Sequence, residues 1–202
     1  DLFGDTEFIN ATLAKDPEIT SSATALMRIF AKLKPGEPSN HEGRIEFLRG
    51  NYFDGKRYDL GRPGRFKLTQ KLGIYNRLPG CVLAETLTDE NGEVVFPKDY
   101  RLTKEDVQKL RDMQYFENGN CTMAIPCISA IDDHNVVNIV KVYAKKKLGE
   151  RVVNVIGTDL HLEGIHHLTI SDIVAFFSYY VNLMDGIGDS DDIDHLGNRR
   201  IR

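Results

Sequence analysis

The chain has 202 residues, 41% of them hydrophobic and 28% charged, with a formal net charge of −4. That length fits one domain with at most a modest insertion, and the apolar content is enough to build a core, which excludes wholesale disorder. The acidic balance excludes a globally basic nucleic-acid binder but leaves room for local basic patches.

No apolar run approaches the roughly 18 residues of a membrane span. The acidic opening Asp1-Leu2-Phe3-Gly4-Asp5 is unlike a signal peptide, and the missing initiator Met makes an excised piece the expectation. Cys81, Cys121 and Cys127 form no CxxC, which fits reduced thiols in a cytoplasmic protein.

Leu26, Ile29, Phe30 and Leu33 recur at helical spacing and predict a helix over 22–33, with Thr20, Ser21 or Ser22 as its cap. Lys34-Pro35-Gly36-Glu37-Pro38 stops it, because proline drives the preceding residue out of the helical region. A second helix is expected over 39–49, with Ile45 and Leu48 inward. Residues 50–80, dense in Gly, Arg and Lys, read as loop and short strands. Residues 83–88 and 93–96 read as a hairpin turning at Asn91-Gly92. Thr103-Lys104-Glu105-Asp106 resembles a capping box, with Leu102 and Val107 as a hydrophobic staple. A helix to about residue 114 follows. Residues 136–143 and 151–156 predict a second hairpin across polar 145–150. The last helix is capped by Thr169 and Asp172, buries a stripe of Ile173, Val174, Phe177, Val181 and Met184, and stops at Asp185-Gly186. The fold class is α+β, helices mixed with short antiparallel strands.

Enzyme motifs are absent: there is no GxxxxGK[ST], GxSxG or HExxH. The acidic run from Asp185 to Asp194 fails as an EF-hand, because with Asp189 first the sixth position is Asp194 instead of glycine and the twelfth is Arg200. His161, Glu163, His166 and His167 have metal-ligating side chains, but no cysteine is near in sequence and adjacent histidines diverge. A solvated loop before the Thr169 cap is the preferred reading, and no metal site is expected.

Basic residues crowd one stretch: Lys56, Arg57, Arg62, Arg65, Lys67, Lys71 and Arg77, interleaved with Tyr58, Phe66 and Tyr75. The combination suits phosphate contacts with occasional stacking, although composition alone favours a solvated, salt-bridged loop. The end, Asp191-Asp192-Ile193-Asp194-His195-Leu196-Gly197-Asn198-Arg199-Arg200-Ile201-Arg202, mixes acid and base without a period and reads as a surface loop.

That last segment resembles the junction peptide of the bacterial RNA polymerase β-subunit family. Lys34-Pro35-Gly36-Glu37-Pro38 resembles the family's RPGEPP element, and Arg57-Tyr58-Asp59-Leu60 with Gly61-Arg62-Pro63-Gly64-Arg65-Phe66-Lys67 resembles its RYDL…VGRYK stretch. All three fall in the family's order. Lys34 stands where the family usually has Arg, Ser39 where it has a second Pro, and Pro63 where it has Val. Lysine keeps the charge but loses the bidentate fork. Residues 83–93 and 102–106 are similar to the small β-β modules inserted in this subunit in low-GC Gram-positives.

The resemblance implies a lobe core over 1–78, an inserted β-β module over 79–165, and a lobe helix and junction to the neighbouring protrusion domain over 166–202. The insertion is expected to be removable, leaving the last helix folded. The implied role is a non-catalytic lobe that walls the main cleft and contacts downstream duplex and the non-template strand. The implied DNA-binding residues are Lys34, Arg57, Arg62, Arg65, Ile193, Asp194 and Arg199. By the same resemblance Asp194, beside Ile193 and Arg199, receives an unpaired guanine, whose N1–H and amine suit an acceptor-only carboxylate. The whole enzyme would transfer nucleotidyl groups with Mg2+ held by another subunit, so this chain has no cofactor of its own. Its partners would be the β′, α and ω subunits, a sigma factor and DNA, in the cytoplasm at the nucleoid, with no membrane. A metal-dependent hydrolase and an RNA-associated module are the alternatives, to be separated by metal-dependent stabilisation and by preference for RNA over duplex DNA.

Overall fold

The computed structural model describes residues 2–3, 7–125, 131–145, 151–158, 162 and 164–190. In chain order these form α1 (Glu7–Ala14), α2 (Ser22–Leu33), α3 (His41–Tyr52), α4 (Gly61–Leu72), α5 (Ile74–Arg77), β1 (Leu87–Thr88), β2 (Val94–Phe96), α6 (Lys104–Asp112), β3 (Thr122–Ala124), β4 (Val136–Tyr143), β5 (Val152–Thr158) and α7 (Ile170–Met184). The class is α+β, as expected. Among the described residues no helix is long and apolar enough to cross a membrane.

Local chemistry sets the helix ends. Ser21, Thr103 and Thr169 each accept a hydrogen bond from the backbone three residues on, and Thr24, Asp106 and Asp172 reach back to the cap. These are three complete capping boxes. Leu102 and Val107, either side of the Thr103 cap, are both buried in one cluster. At the far end of α7, Gly186 has φ +80°, and the amides of Gly186 and Ile187 donate to the carbonyls of Leu183 and Asn182. That is a Schellman stop, and it buries Ile187.

The stretch expected to be loop and strands is instead helical, in α4 and α5. Pro63 lies in the first turn of α4, where a missing N–H costs nothing. Its glycines lower helix propensity, and the packing of Leu72 and Arg65 overrides that.

One sheet has the antiparallel order β3-β4-β5, with Val137 opposite Thr158 and Tyr143 opposite Val152. The other is the β1-β2 hairpin, whose turn is closed by Asp89 accepting from the amides of Asn91 and Glu93. Alternation along β4 and β5 divides the larger sheet. Val140, Val142, Val153 and Val155 join Ile74, Leu78, Leu83, Leu102, Leu110 and Phe116 in the main core. Val137 and Ile156 face the other way, to Ile125, Ile170 and Val174.

The outer edge of β5 is sealed by side chains. The Ser178 hydroxyl accepts from the Ile156 amide at 3.1 Å and donates to the Asn154 carbonyl at 3.2 Å, where the Asn182 amide also donates. Arg77 donates to the Ile156 carbonyl, and at 3.3 Å to the carbonyl of Ala175. An edge strand left open is a template for unwanted pairing, and here no open run remains at these positions. The same edge moves the buried face of α7 away from the expected stripe. The buried face of α7 includes Val174, Ala175, Ser178, Val181 and Asn182, while Phe177 is 51% exposed. The edge needs polar partners, so the helix turns Ser178 and Asn182 inward at the expense of the purely apolar stripe.

Packing crosses the expected divisions at 78/79 and 165/166. Ile74, Tyr75 and Leu78 share a core with residues 81–155 and with Ile187. An added Cβ on Gly157 would lie 2.4–2.5 Å from atoms of Ile74, so β5 and α5 touch through bare backbone. Cys81 is buried and Cys121 half-buried; both are free thiols whose pKa burial pushes up. Cys127 lies outside the described residues.

Candidate nucleic-acid interface

The basic stretch sorts into an outer and an inner set. On α4 the positions 61, 65, 68 and 72 form one helical face, and Arg65 is the polar member of it. Arg65 is buried at 8% exposure. Its Nη1 donates to both carboxylate oxygens of Asp172, at 2.7 and 2.9 Å, its Nε donates to the Ile165 carbonyl at 2.9 Å, and its Nη2 donates to the His167 carbonyl. All three guanidinium nitrogens are thus engaged within the protein, so Arg65 is a structural clamp on the cap of α7 and not a free phosphate ligand. Arg77 is equally committed, to the edge of β5. Burial pushes its guanidinium down to about 10, which leaves it charged at neutral pH. Tyr75 is buried too, its hydroxyl donating to Glu117 at 2.5 Å.

The outer set is smaller. Arg62, Phe66 and Lys67 lie on the exposed side of α4, and Phe66 is 61% exposed. The preceding loop carries exposed Lys56, Arg57 and Tyr58. Its shape is fixed by Asp54, whose side chain accepts from the Lys56 amide at 2.9 Å and whose carbonyl accepts from the amides of Arg57 and Tyr58. Arg57 donates to Asn51 at 3.1 Å. Asp59 then accepts from the Gly61 amide, and the Leu60 amide donates to the His166 carbonyl, which ties the loop to the approach to α7. Lys71 stands over the Tyr179 ring at 4.9 Å and donates to the Asp189 carbonyl.

Lys34 is the C-cap residue of α2. It pairs with Glu37 at 3.0 Å, with Phe47 below it at 5.6 Å. Both partners of that pair are exposed, so it contributes little and can yield to a phosphate. Ile193, Asp194 and Arg199 lie outside the described residues, as do His161 and Glu163.

Of the four metal-type residues read as a solvated loop, the described His166 and His167 diverge. His166 turns to Asp59, 3.9 Å away. His167 meets residues absent from the sequence reading: Asp132 and His134, from the turn before β4. Asp132 accepts from the Ile170 amide at 2.9 Å and faces His134 Nδ1 at 3.2 Å. Burial, with His134 and Arg65 nearby, lowers the pKa of His167 against the opposing pull of Asp132 and Asp172. Among the described residues this is the one group able to hold a metal. With a single carboxylate and two imidazoles it does not suit Mg2+, which takes oxygen ligands.

Residues 103–202 match the family model described as RNA polymerase Rpb2, domain 2. Over its whole length the chain is 38% identical to the DNA-directed RNA polymerase subunit beta of Spiroplasma citri. It is 42% and 40% identical to the subunits of the same name from Geobacillus kaustophilus and Geobacillus thermodenitrificans. The chain spans 16–17% of the length of these relatives. Similarity at this level over the whole chain means that the chain belongs to the RNA polymerase β-subunit family.

Proposed function

We propose that this chain serves DNA-templated transcription as a non-catalytic lobe of RNA polymerase, walling the main cleft and contacting downstream duplex and the non-template strand. The whole enzyme is then a nucleotidyltransferase whose Mg2+ is bound by another subunit. The chain's partners are the β′, α and ω subunits, a sigma factor and DNA, in the cytoplasm. Whole-chain similarity to β subunits carries this reading, with the exposed Arg57, Arg62, Phe66 and Lys67 surface in support. Lys34, Arg57 and Arg62 contact phosphates, and Arg65 supports them from within. Asp194, with Ile193 and Arg199, reads an unpaired guanine; a bidentate base contact discriminates by roughly 1–3 kcal/mol.

The test uses reconstituted polymerase. Arg57→Ala with Arg62→Ala removes two phosphate contacts, so the slope of log affinity against log salt should flatten by roughly 2, equally for all downstream sequences. An unchanged slope removes these residues from the interface. Asp194→Ala should abolish the difference in open-complex lifetime between promoters carrying G or A at the recognised position; a retained G preference defeats the pocket assignment. The chain alone should make no template-dependent RNA.

A further inference from the structure

We propose that Asp132, His134 and His167 form a zinc site that pins the turn before β4 to the N-terminus of α7. The three side chains come from two segments far apart in sequence, and each offers one ligand atom, all within 4.8 Å of one another. Two imidazoles and one carboxylate are a donor set that Zn2+ accepts, with bonds of about 2.0–2.1 Å and a fourth position for water. In a tetrahedron with such bonds, neighbouring ligand atoms are roughly 3.3 Å apart. Asp132 Oδ1 and His134 Nδ1 already stand 3.2 Å apart. The His167 ring lies edge to face with that of His134, centroids 5.7 Å apart, so a small ring movement completes the set.

Supporting contacts hold the ligands. The second oxygen of Asp132 accepts from the Ile170 amide, and the His134 carbonyl accepts from the Ser171 amide. Such outer contacts orient metal ligands and sustain their affinity. The positive end of α7 and the Arg65 guanidinium oppose a cation here, but Asp172 is paired with both. Asp132 therefore remains as net negative charge for the metal.

Cobalt is the probe, because its visible bands report four-coordinate geometry and thiolate ligation separately. The full chain, stripped with chelator, should bind one equivalent of Co2+ with tetrahedral bands and no thiolate charge-transfer band, and Zn2+ should bleach them. His134→Gln or His167→Gln should weaken binding by more than the roughly 10–100-fold that losing one outer contact costs. His166→Gln should leave binding intact. In the unaltered chain, Zn2+ at about 100-fold over its Kd should raise Tm by on the order of 5 °C, an effect that needs no variant to fold. Absence of both the bands and the Tm rise, bands that survive both substitutions, or a thiolate signature would each overturn the site and leave Asp132 and His134 as a hydrogen-bonded pair only.

Discussion

Arg65 and Arg62 are three residues apart and have opposite roles. Arg62→Ala removes an exposed charge and should change stability by less than about 0.5 kcal/mol. Arg65→Ala leaves the Asp172 carboxylate buried at 1% exposure without its guanidinium partner, and the cost expected is about 3–5 kcal/mol. Arg65→Lys should recover only part of it, because one ammonium cannot reach the carboxylate and both carbonyls at once. Urea unfolding of the three variants measures this; an Arg65→Ala loss no larger than that of Arg62→Ala would show that the clamp contributes nothing. Composition could not separate these arginines. The legible signal was periodicity, since Arg65 shares a helical face with Leu68 and Leu72, but it is visible only once 61–72 is read as a helix. The union of His167 with Asp132 and His134 was beyond reach, because no local rule brings residues 33 positions apart together. Gly157 is a similar case, ordinary in sequence and decisive in space. Gly157→Ala puts a methyl into the Ile74 backbone and should cost about 1–3 kcal/mol or more, read from the same transitions.

Elements with a strong local signature were legible almost to the residue. Helix α2 and strand β4 have the expected bounds because period and stop signals agree, and the Thr103 and Thr169 boxes are as read. Helix α4 was hidden by its Gly, Pro and basic content. The face of α7 was misjudged because the rule for apolar stripes ignores a strand edge that needs hydrogen bonds. These distinctions have energetic consequences. Thr169 is fully buried and its hydroxyl also donates to Asp172, whereas Ser21 caps α2 in solvent. Thr169→Ala should therefore cost about 2 kcal/mol and Ser21→Ala about 0.5 kcal/mol. Ser178→Ala strips the Ile156 amide of its partner and should cost about 1–3 kcal/mol. Equal losses for the two cap variants, measured by thermal unfolding, would mean that burial does not set the strength of a cap here.

At the scale of the molecule the question is whether residues 79–165 are a detachable module. Loop entropy alone would permit their removal, since rejoining a surface excursion costs little. The packing argues the other way. Excision with Leu78 joined to His166 deletes β4 and β5, and with them the Asn154 and Ile156 backbone groups that hold Ser178, Asn182 and Arg77. It also deletes Arg151, the 3.0 Å partner of Asp185 at the end of α7, and Asp132, which caps Ile170 at the beginning. Arg77 would lose the Ile156 carbonyl it now donates to, and Val174 and Leu78 would lose the strands that cover them. A domain of this size has only about 5–15 kcal/mol of net stability to spare. Deletion of 79–165 should therefore abolish cooperative unfolding and reduce helical circular dichroism by more than the residues removed, because α7 melts with its partner strand. Shortening only the exposed turn at Glu90-Asn91-Gly92 should leave the transition nearly unchanged. A truncated chain that still unfolds cooperatively with α7 intact would mean that α4, α5 and α7 form a core without the sheet.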